Sequence, residues 1–450
     1  MNTDLITKYN KAVPRYTSYP TVPHWQSETP TQKDWLNSIL KTYDETPGIS
    51  LYIHLPFCEA LCTYCGCNKR ITKNHGVEEP YIEAILKEWN IYRAQFDKKP
   101  IIKEIHLGGG TPTFFSPEQL EKLIGTILTD AEVADEYEFS FEAHPHSTTS
   151  QHLLTLYKLG FRRISIGVQD VSPEIMQAIN RNQTSDEVRQ LTRWSRAIGY
   201  TSINYDIIYG LPFQKPINVM DTMNFIAANR PDRIAFYSYA HVPWKSASQR
   251  AFTIDDVPTG VKKSDLYDLG RYLLEVEGYE AVGMDHFCLP QEALSKAYHS
   301  GKMHRNFMGY TANYTKCSIA LGASSISDSW GMYVQNEKHI ETYQEVVNSG
   351  KLPIIKGHKL TKSQMSMRLH ILNLMCNDET NWTQLSRDAI AISPFLSNLD
   401  ELVEDGLVTY TSTGIKVSSE GKFFIRNICA AIDPIFQTSS TDRPVFSKAI

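Results

Sequence analysis

The chain has 450 residues, 42% hydrophobic and 21% charged, a balance that excludes disordered, collagen-like and disulfide-scaffold classes. Its length suits two or three domains, or one large α/β barrel carrying an appended module. Lys and Arg number 45 against 50 Asp and Glu, a formal charge of -5, so no overall positive field draws the chain to nucleic acid or anionic lipid.

The opening stretch is polar and interrupted by Pro14 and Pro20, unlike the apolar core of a signal peptide. No later stretch supplies the roughly 18 uninterrupted apolar residues that a spanning helix requires. The expectation is a cytoplasmic, monomeric protein with reduced thiols, in which residues 1–48 form an N-terminal extension or lid. From 49 to 240, short β-rich runs alternate with amphipathic stretches of helical period. Strands are predicted at 49–55, 101–107, 137–142, 163–169, 202–208 and 233–240. Helices are predicted at 78–96 and 116–128, the second opened by Ser116 as N-cap with Pro117 in the first helical position. Six βα repeats imply an α/β fold with a parallel sheet and right-handed crossovers.

Alternation along these strands puts Tyr52, His54, His106, Ser140, Glu142, Ser165, Gln169, Asn204 and Asp206 on shared faces. Closed eight-stranded barrels fill their interior with Val, Ile and Leu. Six strands with a polar lumen predict instead an incomplete (βα)6 barrel around a polar ligand, with an open doubly wound sheet as the competing arrangement. The barrel with its elaborations is placed at 49–345. A mostly helical, winged-helix-like module follows at 346–450, with helical patterns at 363–376 and 394–406 and a hairpin at 407–421 turning at Gly414. Residues 359–433 carry seven Lys or Arg against nine Asp or Glu, which favours packing over nucleic-acid binding.

Four of the eight cysteines, Cys58, Cys62, Cys65 and Cys67, fall within ten residues, directly after the first strand. Clustered thiols in a reducing compartment point to zinc or iron–sulfur ligation. Structural zinc normally gathers two ligand pairs from separated segments, and no second pair at that spacing follows. The C-x3-C-x2-C of Cys58, Cys62 and Cys65 suits a cluster, in which each thiolate takes one iron and another iron stays open. Cys67 is either a fourth ligand or a neighbouring thiol.

C-x3-C-x2-C after a strand is also the signature of radical S-adenosylmethionine (SAM) enzymes. Together with its surroundings, YIHLPFCEALCTYCGCNKRIT, and with PRYTSYPT, GGGTPT, GVQD, NYDIIYGLP, YAHVP, GMDHF, HRNFMGYT and GKFFIRNIC, it resembles the oxygen-independent coproporphyrinogen III oxidase family over nearly the whole chain. The resemblance implies a [4Fe-4S] cluster on Cys58, Cys62 and Cys65 and two molecules of SAM. Tyr52, Gly109, Glu142 and Ile326 would meet the first, with Tyr52 and Glu142 at the catalytic centre. Tyr64, Gly110, Thr111, Gln169, Arg181, Asp206 and Ala240 would meet the second. The glycines of GGGTPT would let backbone N–H groups approach a ligand closely. The implied reaction turns two propionates of coproporphyrinogen III into vinyl groups without dioxygen, in haem biosynthesis. It calls for a flavodoxin- or ferredoxin-like electron donor and an electron acceptor of unknown identity. A tetraanionic substrate calls for cations, and Arg15 and Arg305 stand in the family's motifs. Two departures are present: Tyr64 replaces a common Phe, and His144-Pro-His146 replaces an Asp-Pro-Arg. The competing functions are a haem-binding chaperone on the same scaffold and a zinc-stapled regulator.

Overall fold

The computed structural model describes residues 2–25, 28–244, 246–384, 386–438 and 446–449. Its main sheet has twelve strands, numbered here in chain order. β1 to β6 are Ile49–Leu55, Ile101–Gly109, Glu132–Ala143, Arg163–Gln169, Ser202–Tyr209 and Arg233–Ser238. β7 to β12 are Glu280–Val282, His286–Cys288, Ser318–Leu321, Ile326–Asp328, Met332–Asn336 and Ile354–Lys359. The spatial order is β12-β11-β10-β9-β1-β2-β3-β4-β5-β6-β8-β7.

β1 to β6 pair in parallel, as the six repeats predict, and helices follow them on the outside. Local chemistry sets these helices. Ser116 Oγ accepts from Gln119 N with Pro117 at the first helical position, and Thr184 and Glu187 close a reciprocal capping box. Leu51, Ile53, Ile105, Leu107, Phe141, Ile164, Ile166 and Ile203 point outward and are fully buried under the helices. The alternate residues face the lumen, and several of them are polar.

Three features differ from the sequence-based expectation. β9 is a seventh parallel strand, pairing Tyr52 with Ala320 on the far side of β1; a four-residue run carries too little period-2 signal to stand out. Antiparallel strands extend both edges, so the barrel stays open, and β12 carries the sheet past the expected boundary at 345/346. β6 ends at Ser238, which leaves Ala240 outside it.

The C-terminal module has the winged-helix order. Helices Lys362–Asn377, Arg387–Ile392 and Asp400–Glu404 pack with a three-stranded sheet of Glu379–Asn381, Gly414–Val417 and Val408–Tyr410. Gly414 opens a strand rather than occupying the turn, which is Thr411 to Thr413. Leu5, Ile6, Tyr9, Tyr16 and Tyr19 share this module's core, so the N-terminal segment is packed into the C-terminal domain.

Glu88, fully buried on helix Glu78–Arg93, ties that helix to the turn after β9, the end of β11 and the helix Ile340–Asn348. It accepts from Gly322 N at 2.9 Å, Asn336 Nδ2 at 2.7 Å and Tyr343 Oη at 2.6 Å. Burial raises its carboxyl to about 7 against these three donors. Glu88→Ala leaves all three without this acceptor, so a loss of about 3 kcal/mol is expected, read as a fall in Cm at unchanged m-value in urea.

Candidate active site

The cysteine loop leaves the C-terminal end of β1 and returns through a short parallel pairing of Phe57–Cys58 with Arg70–Ile71. Its tip is held by bonds to backbone carbonyls: Thr63 N donates to Ile179 O at 3.0 Å, Asn180 Nδ2 to Leu61 O at 2.7 Å and Lys69 Nζ to Cys65 O at 3.1 Å. Cys58, Cys62 and Cys65 are free, partly buried thiols. Thr111 Oγ1 lies 3.4 Å from Cys58 Sγ, and Arg181 Nη1 donates to Cys62 Sγ at 3.5 Å. The Cys67 thiol, aided by Lys69 and opposed by burial, lowers Cys65 to about 6. Burial pushes Cys58 up to about 11 despite Thr111.

All three thiols line one cavity of about 270 Å³, with Cys67 beside them. Among the described residues no three His, Cys, Asp or Glu side chains converge on a single ion. Sulfurs spread around a shared cavity fit a polynuclear cluster, where each takes a separate iron. The donor set therefore fits the group that the spacing implies.

Glu142 stands at the end of β3 between two cavities. It accepts from Gly109 N at 3.1 Å, and His106 Nε2 lies 3.5 Å away. Burial alone would raise its carboxyl, but the hydrogen bond and charge of His106, with Gly109, hold it below the usual carboxylate value. The Tyr52 ring stacks on His106 at 6.0 Å between centroids, and Tyr52 Oη lies 3.0 Å from His54 Nδ1. His54 Nε2 is 2.9 Å from Asn68 O, a pure acceptor, so the proton sits on Nε2 and Tyr52 Oη donates to Nδ1.

The glycine turn does a different job from the one its sequence suggested. Gly109 N, Gly110 N and Thr111 N donate to Glu142, Leu55 O and Phe57 O, so they are engaged within the protein. Glycine is required for space instead. A Cβ on Gly109, whose φ is +117, would sit 2.6 Å from the His54 ring, and one on Gly110 would sit 2.6 Å from Pro56 C.

Tyr52, Gly109, Glu142 and Ile326, the expected first SAM set, all line a cavity of about 300 Å³. Tyr64, Gly110, Thr111, Gln169, Arg181 and Asp206, from the expected second set, line the 270 Å³ cavity. Gly109, Glu142 and Cys67 line both, so the two spaces meet there. Ala240, also of the second set, lines neither. Gln169 adopts a left-handed φ of +69, a strained conformation for a non-glycine residue. Arg181 is clamped by Gly167 O at 2.5 Å and Tyr64 Oη at 3.2 Å.

Asp206 accepts from Ser165 Oγ at 2.9 Å and Asn204 Nδ2 at 2.8 Å. Burial, then the Glu142 charge, raises it from 3.8 to about 6. A raised carboxyl pKa opposes ionisation in the fold, a cost absent below the unfolded value and complete above the folded one. The Tm difference between Asp206→Asn and the unaltered chain is therefore expected to shift in the variant's favour from pH 3.8 to about 6, then level off.

The other predicted residues are placed less directly. Arg305 is buried and donates to Arg15 O and Tyr16 O, both at 3.4 Å, rather than presenting an open fork at the barrel mouth. Arg15 is partly exposed and donates to Ser238 O at 2.9 Å. Burial, then Arg181 and His146, lowers His144 to about 2, so it stays neutral. His146 Nδ1 lies 2.7 Å from Glu187 Oε1. Sequence reading assigned no role to His106 and missed Lys69. Only the period-2 alternation points to the former, by placing His106 on the face that Ser140, its register partner, and Glu142 share.

The radical SAM superfamily model matches residues 52–226, which run from β1 into the helix after β5. Oxygen-independent coproporphyrinogen III oxidase from Pseudomonas aeruginosa is 34% identical over 99% of this chain and 98% of its own length. The chain belongs to the oxygen-independent coproporphyrinogen III oxidase family. The family's protein from Synechocystis is 35% identical over 99% of this chain and 97% of its own. Coproporphyrinogen III oxidase from Escherichia coli, described as a radical SAM enzyme, superposes with a TM-score of 0.88 at 32% identity, covering 96% of this chain and 98% of that one. As a member of this family the chain is a SAM-dependent oxidoreductase on an incomplete radical SAM barrel, and membership implies an iron–sulfur cluster with SAM. No helix among the described residues is long and apolar enough to cross a membrane.

Proposed function

We propose that this chain converts coproporphyrinogen III to protoporphyrinogen IX without dioxygen, removing two propionate carboxyls as carbon dioxide and leaving two vinyl groups. The observation that carries this reading is the meeting of two cavities at Glu142 beside a three-thiol loop, in a chain related over its whole length to enzymes of that name. Cys58, Cys62 and Cys65 would hold the cluster. Bound there, cluster and SAM together supply a 5′-deoxyadenosyl radical able to take hydrogen from a propionate β-carbon.

The chain's own groups have distinct tasks. Glu142, kept ionised by His106, offers its carboxylate to hydroxyl donors, as acidic residues do toward ribose in dinucleotide folds. Tyr52 stacks on the His106 ring and fixes its plane. The 300 Å³ cavity, with Tyr52, Gly109 and Ile326, takes the first SAM. The 270 Å³ cavity takes the second, with Arg181 and Asp206 on its wall. Tyr237 and Ile208 add ring and aliphatic surface to the wall of this cavity. A flavodoxin- or ferredoxin-like donor in the cytoplasm would serve the cluster held by these cysteines, and a separate acceptor would take up the product electron; the working unit is a monomer.

Substrate deuterated at the propionate β-carbons tests the reading. Anaerobic incubation of reconstituted protein with SAM and reductant should yield deuterated 5′-deoxyadenosine and divinyl product. Undeuterated 5′-deoxyadenosine with recovered substrate would refute it.

A further inference from the structure

Beyond the polar lumen, the molecule contains a group of cations that outnumbers the carboxylate beside it, Asp285. Arg15 Nη2 donates to Ser238 O at 2.9 Å and Lys263 Nζ to Tyr239 O at 2.7 Å, on consecutive carbonyls just past Tyr237, whose ring lines the lumen. Arg305 donates to Arg15 O and Tyr16 O; Arg426 donates to Pro14 O at 3.0 Å and to Val13 O, and its remaining N–H groups go to Ser447 O, Lys448 O and Ala449 O. Carbonyls of four successive residues, 13 to 16, thus each receive a guanidinium. Lys263, Arg305 and Arg426 are buried.

The hydrogen bonds of these four cations go to backbone carbonyls. Asp285, whose ionised form Arg305 and Arg15 favour, is already hydrogen-bonded to His286 at 2.7 Å. Asp433 accepts from Tyr16 Oη at 3.0 Å and two backbone N–H groups. Lysine is accommodated here deliberately: a Cβ on Gly210 would lie 2.8 Å from Lys263 Cε. Burial, then Arg15 and Arg426, lowers Lys263 to about 7, which is the electrostatic cost of gathering these charges. Carbonyl dipoles alone compensate a buried cation poorly, and a carboxylate compensates it well.

We propose that Arg15, Lys263 and Arg305 form a carboxylate-binding site that takes a propionate of the tetrapyrrole substrate, with Arg426 holding the 13–16 backbone beside it. This assignment rests on the function proposed above and extends it to the cations that select the substrate. Lys263 lies outside the pair that the family's motifs suggested. The site sits at the rim of β6, two residues along the chain from the lumen wall, so an anion held here leaves the rest of the macrocycle over the barrel mouth.

Coproporphyrin III, a stable fluorescent tetracarboxylate, and its tetramethyl ester are the probes, titrated into anaerobically reconstituted full-length protein. Lys263→Met and Arg15→Gln should each weaken coproporphyrin III by about tenfold and leave the ester unchanged. Lys263→Met should also keep or raise Tm, because it removes a buried charge. Unchanged coproporphyrin III affinity in both variants, or equal weakening of acid and ester with a lower Tm, would overturn the site and assign these residues to fold maintenance. The unaltered chain separates the two claims. If it binds coproporphyrin III in a Lys263-dependent way but does not turn over coproporphyrinogen III, the function fails and the site stands. If it turns over substrate while the variants bind normally, the site fails alone.

Discussion

Single replacement of Cys58, Cys62 or Cys65 by Ser is expected to reduce product formation to background and to strip iron and labile sulfide from anaerobically purified protein. The three thiols share one cavity wall, and the loop between them is fixed at Leu61 and Thr63 by Asn180 and Ile179 and at Cys65 by its own Lys69. A hydroxyl is a hard, weakly acidic donor and does not replace a thiolate toward iron. Cys67→Ser separates the fourth cysteine from these. Cys67 lines both cavities and hydrogen-bonds Cys65, so the variant should keep its iron while losing activity. Iron and sulfide analysis beside a turnover assay reads all four variants. Full iron content in a Cys62→Ser protein would contradict the ligand assignment.

Glu142→Gln is expected to weaken SAM by about 2 kcal/mol, the value of a charge-assisted hydrogen bond, or roughly thirtyfold in Kd. The substitution nearly preserves shape, yet removes the charge that faces both cavities and the partner that orients His106 at 3.5 Å. The absorption spectrum of the reconstituted protein should be unchanged, because Glu142 touches no cysteine. Equilibrium dialysis with labelled SAM makes the measurement, and an affinity within twofold of the unaltered chain would remove Glu142 from the site.

Much of this architecture is legible in the residues themselves. The six parallel strands announce themselves by dense β-branched and aromatic runs, and Ser116-Pro117 marks a helix start that the structure keeps. Tyr52, His106, Glu142 and Asp206 could be placed on one lumen because side chains alternate with period two, which holds wherever strands stay regular. Strand β9 escaped because Ser318–Leu321 is short and pairs across a long sequence gap with β1. The glycine turn misled for a related reason. Residue type shows that Gly109 and Gly110 permit close approach, but only coordinates show that His54 and Pro56 make that approach. Arg305 was recognisable as a cation, yet its burial against the carbonyls of Arg15 and Tyr16 depends on a contact between distant segments. The same holds for Tyr16 and Tyr19, whose place in the C-terminal core no local pattern encodes.

The most direct measurement is quantitative product analysis in the absence of oxygen, with coproporphyrinogen III, SAM and a low-potential reductant added to reconstituted protein. Protoporphyrinogen IX should form together with two carbon dioxide molecules per macrocycle, and omission of SAM should abolish both. Protein that retains added haem, cleaves SAM and returns the tetrapropionate unchanged would contradict the account.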